Sequence, residues 1–356
     1  VGHYRHALDC QPEQPLVWGN LAVALQESGH LDDALAAYDK AIVFDPNEPN
    51  IRRNRGMALL AAGRFDEGWA DYEYRWQTPR FKRLCRDWPV PMWDGSDIRG
   101  KRILVHAEQG LGDTLQCCRY LPLLHAGGAK VIVECADSLK PLIETIPGVH
   151  TVIRPGGHLP GLDYHVPLMS LPGLFKTNGN TIPAKVPYLI APKSAERKWQ
   201  KITADWPKGK RVGIAWRGSP DHPRDVIRSP GLAHFLKLAS LPDITLVSLQ
   251  IDGAAGELAS MSDAAMVMDP TAHINDFGDS AALVGQLDAV VSCDSAPLHL
   301  AGALGAPCYA VLPHVAEWRW GRDGDRSPWY PTMTLIRQSS FGDWDSVFAR
   351  VTKIIG

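Results

Sequence analysis

Apolar positions in the first 77 residues recur at helical spacing, and the pattern itself repeats. Pro12 and Pro46 lie 34 residues apart, as do Tyr4, Tyr38 and Tyr72, then Gly29 and Gly63, then Ala34 and Gly68. Trp18, Leu21 and Leu25 fall on one helix face, and small residues at Ala22 and Ala34 let a paired helix approach closely. Gly29 relieves the turn and Pro46 stops the second helix, so the spacing predicts helical hairpins, half a unit followed by two. The third hairpin carries Arg55 and Gly68 where apolar and small residues are expected. Such short arrays need a neighbour to lean on or further units before them, and the chain opens at Val1 in mid-pattern, as a piece of something longer does.

Periodicity lapses over 78–100, a connector rich in Pro, Trp and Arg. Short β-rich runs then alternate with helical stretches: RILVHA, a helix through LQCCRYLPLLHAGG, KVIVEC, a helix to Ile146, and HTVIRP. After a basic stretch at 192–210 the alternation resumes. It runs through RVGIAW, a helix near 231–240, ITLVSLQ, a helix at 254–260, AMVMD at 265–269, a helix at 276–287, DAVVSCD, a helix from Pro297, PCYAVLP, TLIRQ and a helix from Trp344. Strands alternating with helices predict parallel sheets with covered faces. The division is 1–77 repeats, 78–100 linker, 101–191 first Rossmann-like lobe, 192–210 inter-lobe linker and 211–356 second lobe. Two such halves place a cleft at the carboxyl ends of their strands.

Composition narrows the function classes. The 356 residues are 45% apolar and 21% charged, which excludes wholesale disorder. Lys and Arg number 37 against 39 Asp and Glu, a net charge of −2, so no broad basic field gathers nucleic acid. Seven cysteines without a CxxC pair read as inert thiols in a reducing compartment. No apolar run is long enough to span a bilayer and no leader pattern is evident, so the expected location is cytoplasmic. The 12 tryptophans include Trp318, Trp320 and Trp329, a cluster that could face substrate.

Three loops carry candidate chemistry. In HAEQGLGDTLQ, Gln109, Gly110 and Gly112 turn a strand into a helix, and Asp113 either caps that helix or faces the cleft as a base. A dinucleotide fingerprint is not met: Leu115 stands where its third glycine would fall, and Asp113 opposes a pyrophosphate. In VVSCDSAPLHLAGALGAP, Asp294, Ser295 and Ala296 turn into a helix begun by Pro297, with His299 one turn in; the N–H groups of 295–298 and the Ser295 hydroxyl form an anion site suited to a diphosphate. In IAWRGSPDHPRDVIRS, Arg217, Arg224 and Arg228 cluster where guanidinium forks can hold phosphate oxygens, Arg217 and Arg228 being the candidates carried forward. Trp216 and Gln250 stand beside the same cleft as weaker candidates for reading the nucleotide. HExxH and GxxxxGK[ST] are absent, and the paired aspartates at 323/325 and 343/345 are no more than chance supplies, so no metal site or cofactor is expected.

The 34-residue pattern matches tetratricopeptide repeats position by position. From about Pro91 onward the chain resembles the heptosyltransferase-like glycosyltransferases of family 9, in the bacterial form fused to such repeats. The resemblance rests on GRFDEGWADYEYRW, HAEQGLGDTLQCCRYLPLL, DSAPLHLAGALGAP and WRWGRDGDRSPWYPTMTLIRQ. It implies an α/β fold of the two-lobed GT-B type behind the repeats, with Asp113 as catalytic base on the acceptor side. Asp294, Ser295, Ala296 and His299 are similar to the family's Asp-Thr-Gly-x-x-His donor loop, with Ser for Thr at 295 and Ala for Gly at 296. The implied function is a metal-independent, inverting transfer of a sugar from a nucleotide-sugar donor to an acceptor hydroxyl, with a polypeptide acceptor or partner held by the repeats. The alternative is a repeat-based scaffold whose transferase-like half is degenerate.

Overall fold

The computed structural model describes residues 1–159, 161–251, 254–260 and 266–356. They form two compact units. The first comprises Val1–Pro89, Pro172–Ile182 and Val315–Gly324; the second comprises Val90–Leu171, Pro183–His314 and Asp325–Gly356.

The first unit holds α1 (Gly2–Cys10), α2 (Pro15–Glu27), α3 (Leu31–Phe44), α4 (Pro49–Ala61), α5 (Phe65–Tyr72) and α6 (Pro79–Lys82). The stripe predicted on α2 is the buried one: Leu21 and Leu25 pack with Leu35 and Tyr38 of α3, across Ala22 and Ala34, neither of which retains any exposure. Proline at the first turn starts α2 and α4. The chain leaves α2 and α4 through Gly29 and Gly63 at φ of 85° and 77°, a region that side chains with a Cβ rarely adopt. The unexpected Arg55 is neutralised: its Nε donates to Asp71 at 2.5 Å and its Nη1 to Asp39 at 2.7 Å, while Arg52 takes the other Asp71 oxygen at 3.0 Å.

Two excursions from distant sequence belong to this unit. Trp69 on α5 is buried, donates its indole N–H to the Thr177 carbonyl at 2.8 Å, and meets Trp318 edge-on at a centroid distance of 5.3 Å. Linear reading assigned both segments to the lobes, because nothing local marks residues 172–182 or 315–324 as partners of a helix about a hundred or more residues away.

The second unit contains β1 (Arg102–His106), α7 (Leu111–Cys117), α8 (Leu121–Ala126), β2 (Lys130–Glu134), α9 (Lys140–Ile143), β3 (Val149–Ile153) and β4 (Tyr164–Pro167). Past α10 (Leu171–Leu174), which from Pro172 on belongs to the first unit, come α11 (Lys193–Ile202), β5 (Lys210–Ala215), α12 (Asp225–Arg228), α13 (Leu232–Leu236), β6 (Ile244–Ser248), α14 (Ala254–Ser260) and β7 (Val267–Met268). The chain ends with α15 (Phe277–Val284), β8 (Ala289–Cys293), α16 (Ala296–Ala303), β9 (Cys308–Leu312), β10 (Met333–Arg337) and α17 (Trp344–Ile355). The strand expected at 265–269 is realised at Val267–Met268, and Ala265 lies outside the described residues. The helix expected across 115–128 is interrupted by a 3₁₀ turn at Cys118–Tyr120 ahead of Pro122.

Both sheets are parallel. One runs β3-β2-β1-β4 and the other β10-β9-β8-β5-β6-β7. The second is the doubly wound dinucleotide-fold order, in which the strands wind outward in opposite directions from the two central ones, β5 and β8. The crevice of such a sheet opens at the carboxyl ends of β5 and β8, the strands that lead into Trp216–Gly218 and Asp294–Ala296. The winding in the first sheet reverses between β1 and β4, and β1 leads into the 107–112 loop.

Candidate functional site

A cavity of about 460 Å³ lies where the topology calls for one. Arg217, Gly218 and Ser219 after β5 line it, with Ser295, Ala296 and Pro297 at the start of α16, Gln250 after β6, and Asn275 to Phe277 leading into α15. Leu111 of α7 and Ser138 supply the wall from the first sheet's loops.

The β8–α16 turn forms because a buried strand runs straight into a proline-started helix. Its backbone donors are fewer than the sequence suggests. Pro297 has no N–H, and the Leu298 N–H is donated to the Ser295 carbonyl at 3.0 Å, which leaves only the N–H groups of Ser295 and Ala296 of the four expected donors. The Ser295 hydroxyl turns back into the protein, 3.2 Å from the Cys293 carbonyl and 3.1 Å from the Ser292 hydroxyl.

His299 is buried at 5% exposure, its Nδ1 2.8 Å from the Tyr330 hydroxyl and its Nε2 3.7 Å from an Asp294 oxygen. The Gly112 backbone of α7 passes directly under that ring. A Cβ at Gly112 would stand 2.8 Å from His299 Cδ2, so only glycine admits this approach. The loops after β1 and β8 therefore meet, and Asp113 is the next residue along. Asp113 also performs the capping role: its Oδ2 accepts the Gly110 N–H at 2.8 Å. Gln109 and Gly110 form the turn before it.

The two arginines of the loop after β5 stand differently. Arg217 lines the cavity, its Nε 3.8 Å from a Glu257 oxygen. Arg228 folds back over Gly218, with its Nε 3.2 Å from Asp225, and its charge acts on Cys293 at the end of β8. Burial, with Arg228 adding to it and Asp294 and Asp225 opposing, pushes the His222 imidazole below its ordinary value.

Two expectations are corrected. Trp216 is fully buried and donates its indole N–H to Glu257 at 2.8 Å, so its ring has no face to offer a base. Gln250 borders the cavity, but its Oε1 is occupied by the backbone N–H groups of Trp216 and Arg217 at 3.2 and 3.1 Å, which ties the end of β6 to that of β5. The 318–329 tryptophans are likewise interior, none exceeding 5% exposure. Tyr330 was not anticipated, being 31 residues from His299. Nor was Arg119, which donates to the Trp329 carbonyl at 2.6 Å and to the Tyr188 hydroxyl at 2.9 Å; only the chain's path brings these groups together. Among the described residues no group of three or more His, Cys, Asp or Glu converges to hold a metal ion, and no helix is long and apolar enough to cross a membrane.

The families described as "Tetratricopeptide repeat" and "TPR repeat" match residues 3–36 and 24–63. The N-terminal hairpins are tetratricopeptide repeats. Protein FlbA of Caulobacter vibrioides is 26% identical over 314 residues, 80% of this chain and 51% of FlbA, so the chain spans about half the length of that curated relative. Among solved structures, the ADP-heptose lps heptosyltransferase II of E. coli aligns at a TM-score of 0.52 and 14% identity, over 71% of this chain and 97% of its own. The family 9 glycosyl transferase of Veillonella parvula aligns at 0.51 and 11%, over 74% and 91%. The α/β region has the heptosyltransferase-like GT-B fold.

Proposed function

We propose that the chain is a metal-independent, inverting glycosyltransferase that moves a sugar from a nucleotide-sugar donor to an acceptor hydroxyl, the acceptor being a polypeptide held by the repeats. The observation that carries this reading is the meeting of two loops at one cavity. The α7 turn bearing Asp113 touches His299 of the donor-side helix, at the switch point of a doubly wound sheet. The donor diphosphate would sit against the Ser295 and Ala296 N–H groups, with Arg217 and Arg228 beside it. Charge then develops on the leaving diphosphate next to a helix start and two guanidinium groups, which together supply the positive potential that the departing group needs. Asp113 takes the proton from the acceptor hydroxyl as its oxygen attacks the anomeric carbon from the opposite face. The C–O bond to the acceptor forms as the bond to the diphosphate breaks.

Asp113→Asn separates the two roles of this side chain. Asparagine keeps an oxygen to accept the Gly110 N–H but cannot hold a proton, so thermal stability should stay within about 1 kcal/mol of the parent while turnover falls by about 10² or more. Unchanged turnover would remove Asp113 as base. The first experiment is a thermal-shift screen against UDP, GDP, ADP, CDP and CMP, since selective binding stabilises the native state by mass action.

The second reading, a repeat scaffold with a degenerate transferase region, has its own support. The Ser295 hydroxyl, the Gln250 carbonyl and the Trp216 ring are all engaged within the protein. No stabilisation by any nucleotide in that screen would favour it.

A further inference from the structure

The repeat unit carries a run of basic side chains that its own acids pair only in part. Between Glu73 and Asp87 the chain has five cations, Arg75, Arg80, Lys82, Arg83 and Arg86, and no acid, in a protein whose net charge is −2. Of these Arg75 pairs with Glu73 at 2.5 Å; other arginines of the unit are matched too: Arg52 and Arg55 share Asp71, Arg64 pairs with Glu67 at 2.7 Å, and Arg322 pairs with Asp32 at 2.8 Å. Arg53, Arg80, Lys82 and Arg83 have no carboxylate partner among the described residues.

The geometry there is ordered. Phe81 is buried, and a Trp76 ring holds it edge-on at 5.8 Å. The guanidinium groups of Arg53, from α4, and Arg80, from α6, each lie 6.0 Å from the centre of that one ring. The Nε of Arg53 is buried with no acceptor. The acid whose charge reaches Arg53, Glu317, is committed to Arg319 at 2.8 Å and to that residue's backbone N–H. Burial lowers the Arg53 guanidinium pKa; Tyr72 and Glu317 oppose that shift, while the neighbouring charges of Arg80 and Arg75 add to it. Arg80, Lys82 and Arg83 stand exposed beside it.

We infer that Arg53 and Arg80, extended by Lys82 and Arg83, form a recognition surface for an acidic polypeptide segment. Guanidinium forks held on an aromatic ring are suited to bidentate capture of carboxylates. The surface is one short stretch joined to a tetratricopeptide array, not the extended phosphate-tracking field that a nucleic acid requires, so the polypeptide is the favoured anion. The inference is separable from the transferase reading, because nucleotide binding and peptide binding are measured independently.

The test is fluorescence anisotropy on the full chain, with a labelled ten-residue peptide of alternating Glu and Gly, the same peptide with Gln for Glu, and a deoxythymidine oligonucleotide of equal charge. Expected are binding of the Glu peptide alone among the peptides, weakening as salt rises from 50 to 500 mM, and a loss of about tenfold in Arg53→Gln with Arg80→Gln. The exposed pair Arg80→Gln with Arg83→Gln should also weaken it with melting temperature unchanged, and Arg53→Lys should restore part of the affinity lost in Arg53→Gln. Equal binding of the Gln peptide, no binding of the Glu peptide at 50 mM salt, or affinity indifferent to both double variants would overturn the inference. Tighter binding of the oligonucleotide than of the peptide would reassign the surface to nucleic acid and overturn it too.

Discussion

Gly112→Ala tests the contact on which the proposed site depends. In an ordinary helix the change is favourable by about 0.5–1 kcal/mol, because alanine loses less freedom on folding. Here the new methyl would stand 2.8 Å from His299 Cδ2, about 0.7 Å inside the ~3.5 Å at which carbon–carbon contacts become attractive. The ring has little room to yield. It is buried and bonded at 2.8 Å to Tyr330, whose own ring presses on Gly302 so closely that a Cβ there would lie 2.5 Å away. Overpacking of this kind costs about 1–3 kcal/mol, so the balance is a net loss near ~1 kcal/mol, read as a fall of about 2 °C in melting temperature. The effect on ligand binding should be larger. Displacing His299 disturbs the turn that holds Asp294, and affinity for the selected nucleoside diphosphate should drop by about tenfold. Differential scanning fluorimetry with and without nucleotide measures both. A variant that melts higher than the parent and binds nucleotide as before would refute the argument.

The other predictions concern stability and reactivity. Burial alone would raise the Asp279 carboxyl, but Lys198 Nζ at 2.7 Å and the Asn275 N–H at 3.0 Å hold it below the ordinary carboxylate value. A group depressed in the folded state stabilises above its unfolded value, near about pH 4, and loses that contribution as pH falls through the folded value. Asp279→Asn should therefore cost about 2 kcal/mol at pH 7 by denaturant titration and flatten the acid limb below about pH 4; an unaltered acid limb would show that the pair contributes nothing. Trp69→Ala should cost about 3–5 kcal/mol and, by hydrogen exchange, strip protection from 172–182 and 315–324; intact protection there would contradict the anchoring role. Burial pushes the thiols of Cys135, Cys293 and Cys308 up to about 12, and Cys117 and Cys118 are buried with them. Iodoacetamide at pH 7.5 should accordingly alkylate only Cys10 and Cys85 in the native protein, and modification of Cys293 would show the donor turn to be open.

What could be read in advance follows from where the physics is local. Ile103 to Val105 and Val131 to Val133 are buried on both faces of a parallel sheet, so they form unbroken apolar runs that no helix period produces. The Tyr164–Pro167 strand was unread because it is four residues long, half-exposed at its start and closed by proline. The donor turn was legible because a strand, a polar turn and a proline-started helix are contiguous in sequence. Trp216 and Gln250 were misjudged for the opposite reason. Standing at a strand's carboxyl end says that a residue is near the cleft, while the partners that absorb its polar groups, Glu257 and two backbone N–H groups, are fixed only by folding. His299 was legible as a candidate, but its orientation was not, since Tyr330 and the Gly112 backbone arrive from elsewhere in the chain.

The departure at position 296 now has a physical setting. Alanine in place of glycine adds a methyl group beside the backbone donors to which the proposed function assigns a phosphate, which by itself argues for a spoiled site. The crowding at this point has two sides, however, and a Cβ on Gly112 would lie 3.7 Å from the Ala296 Cα as well as against His299. The close approach of α7 to α16 thus depends on a side chain missing from α7, and Ala296 still lines the cavity. If that division of space is what allows the methyl, Ala296→Gly in the parent should leave nucleotide affinity within about twofold, whereas in the Gly112→Ala background it should recover part of the lost affinity. Such coupling between touching residues is a direct measure of shared space. Additive effects in the double variant would mean that the two positions do not compete for it, and the substitution at 296 would again count against a working donor site.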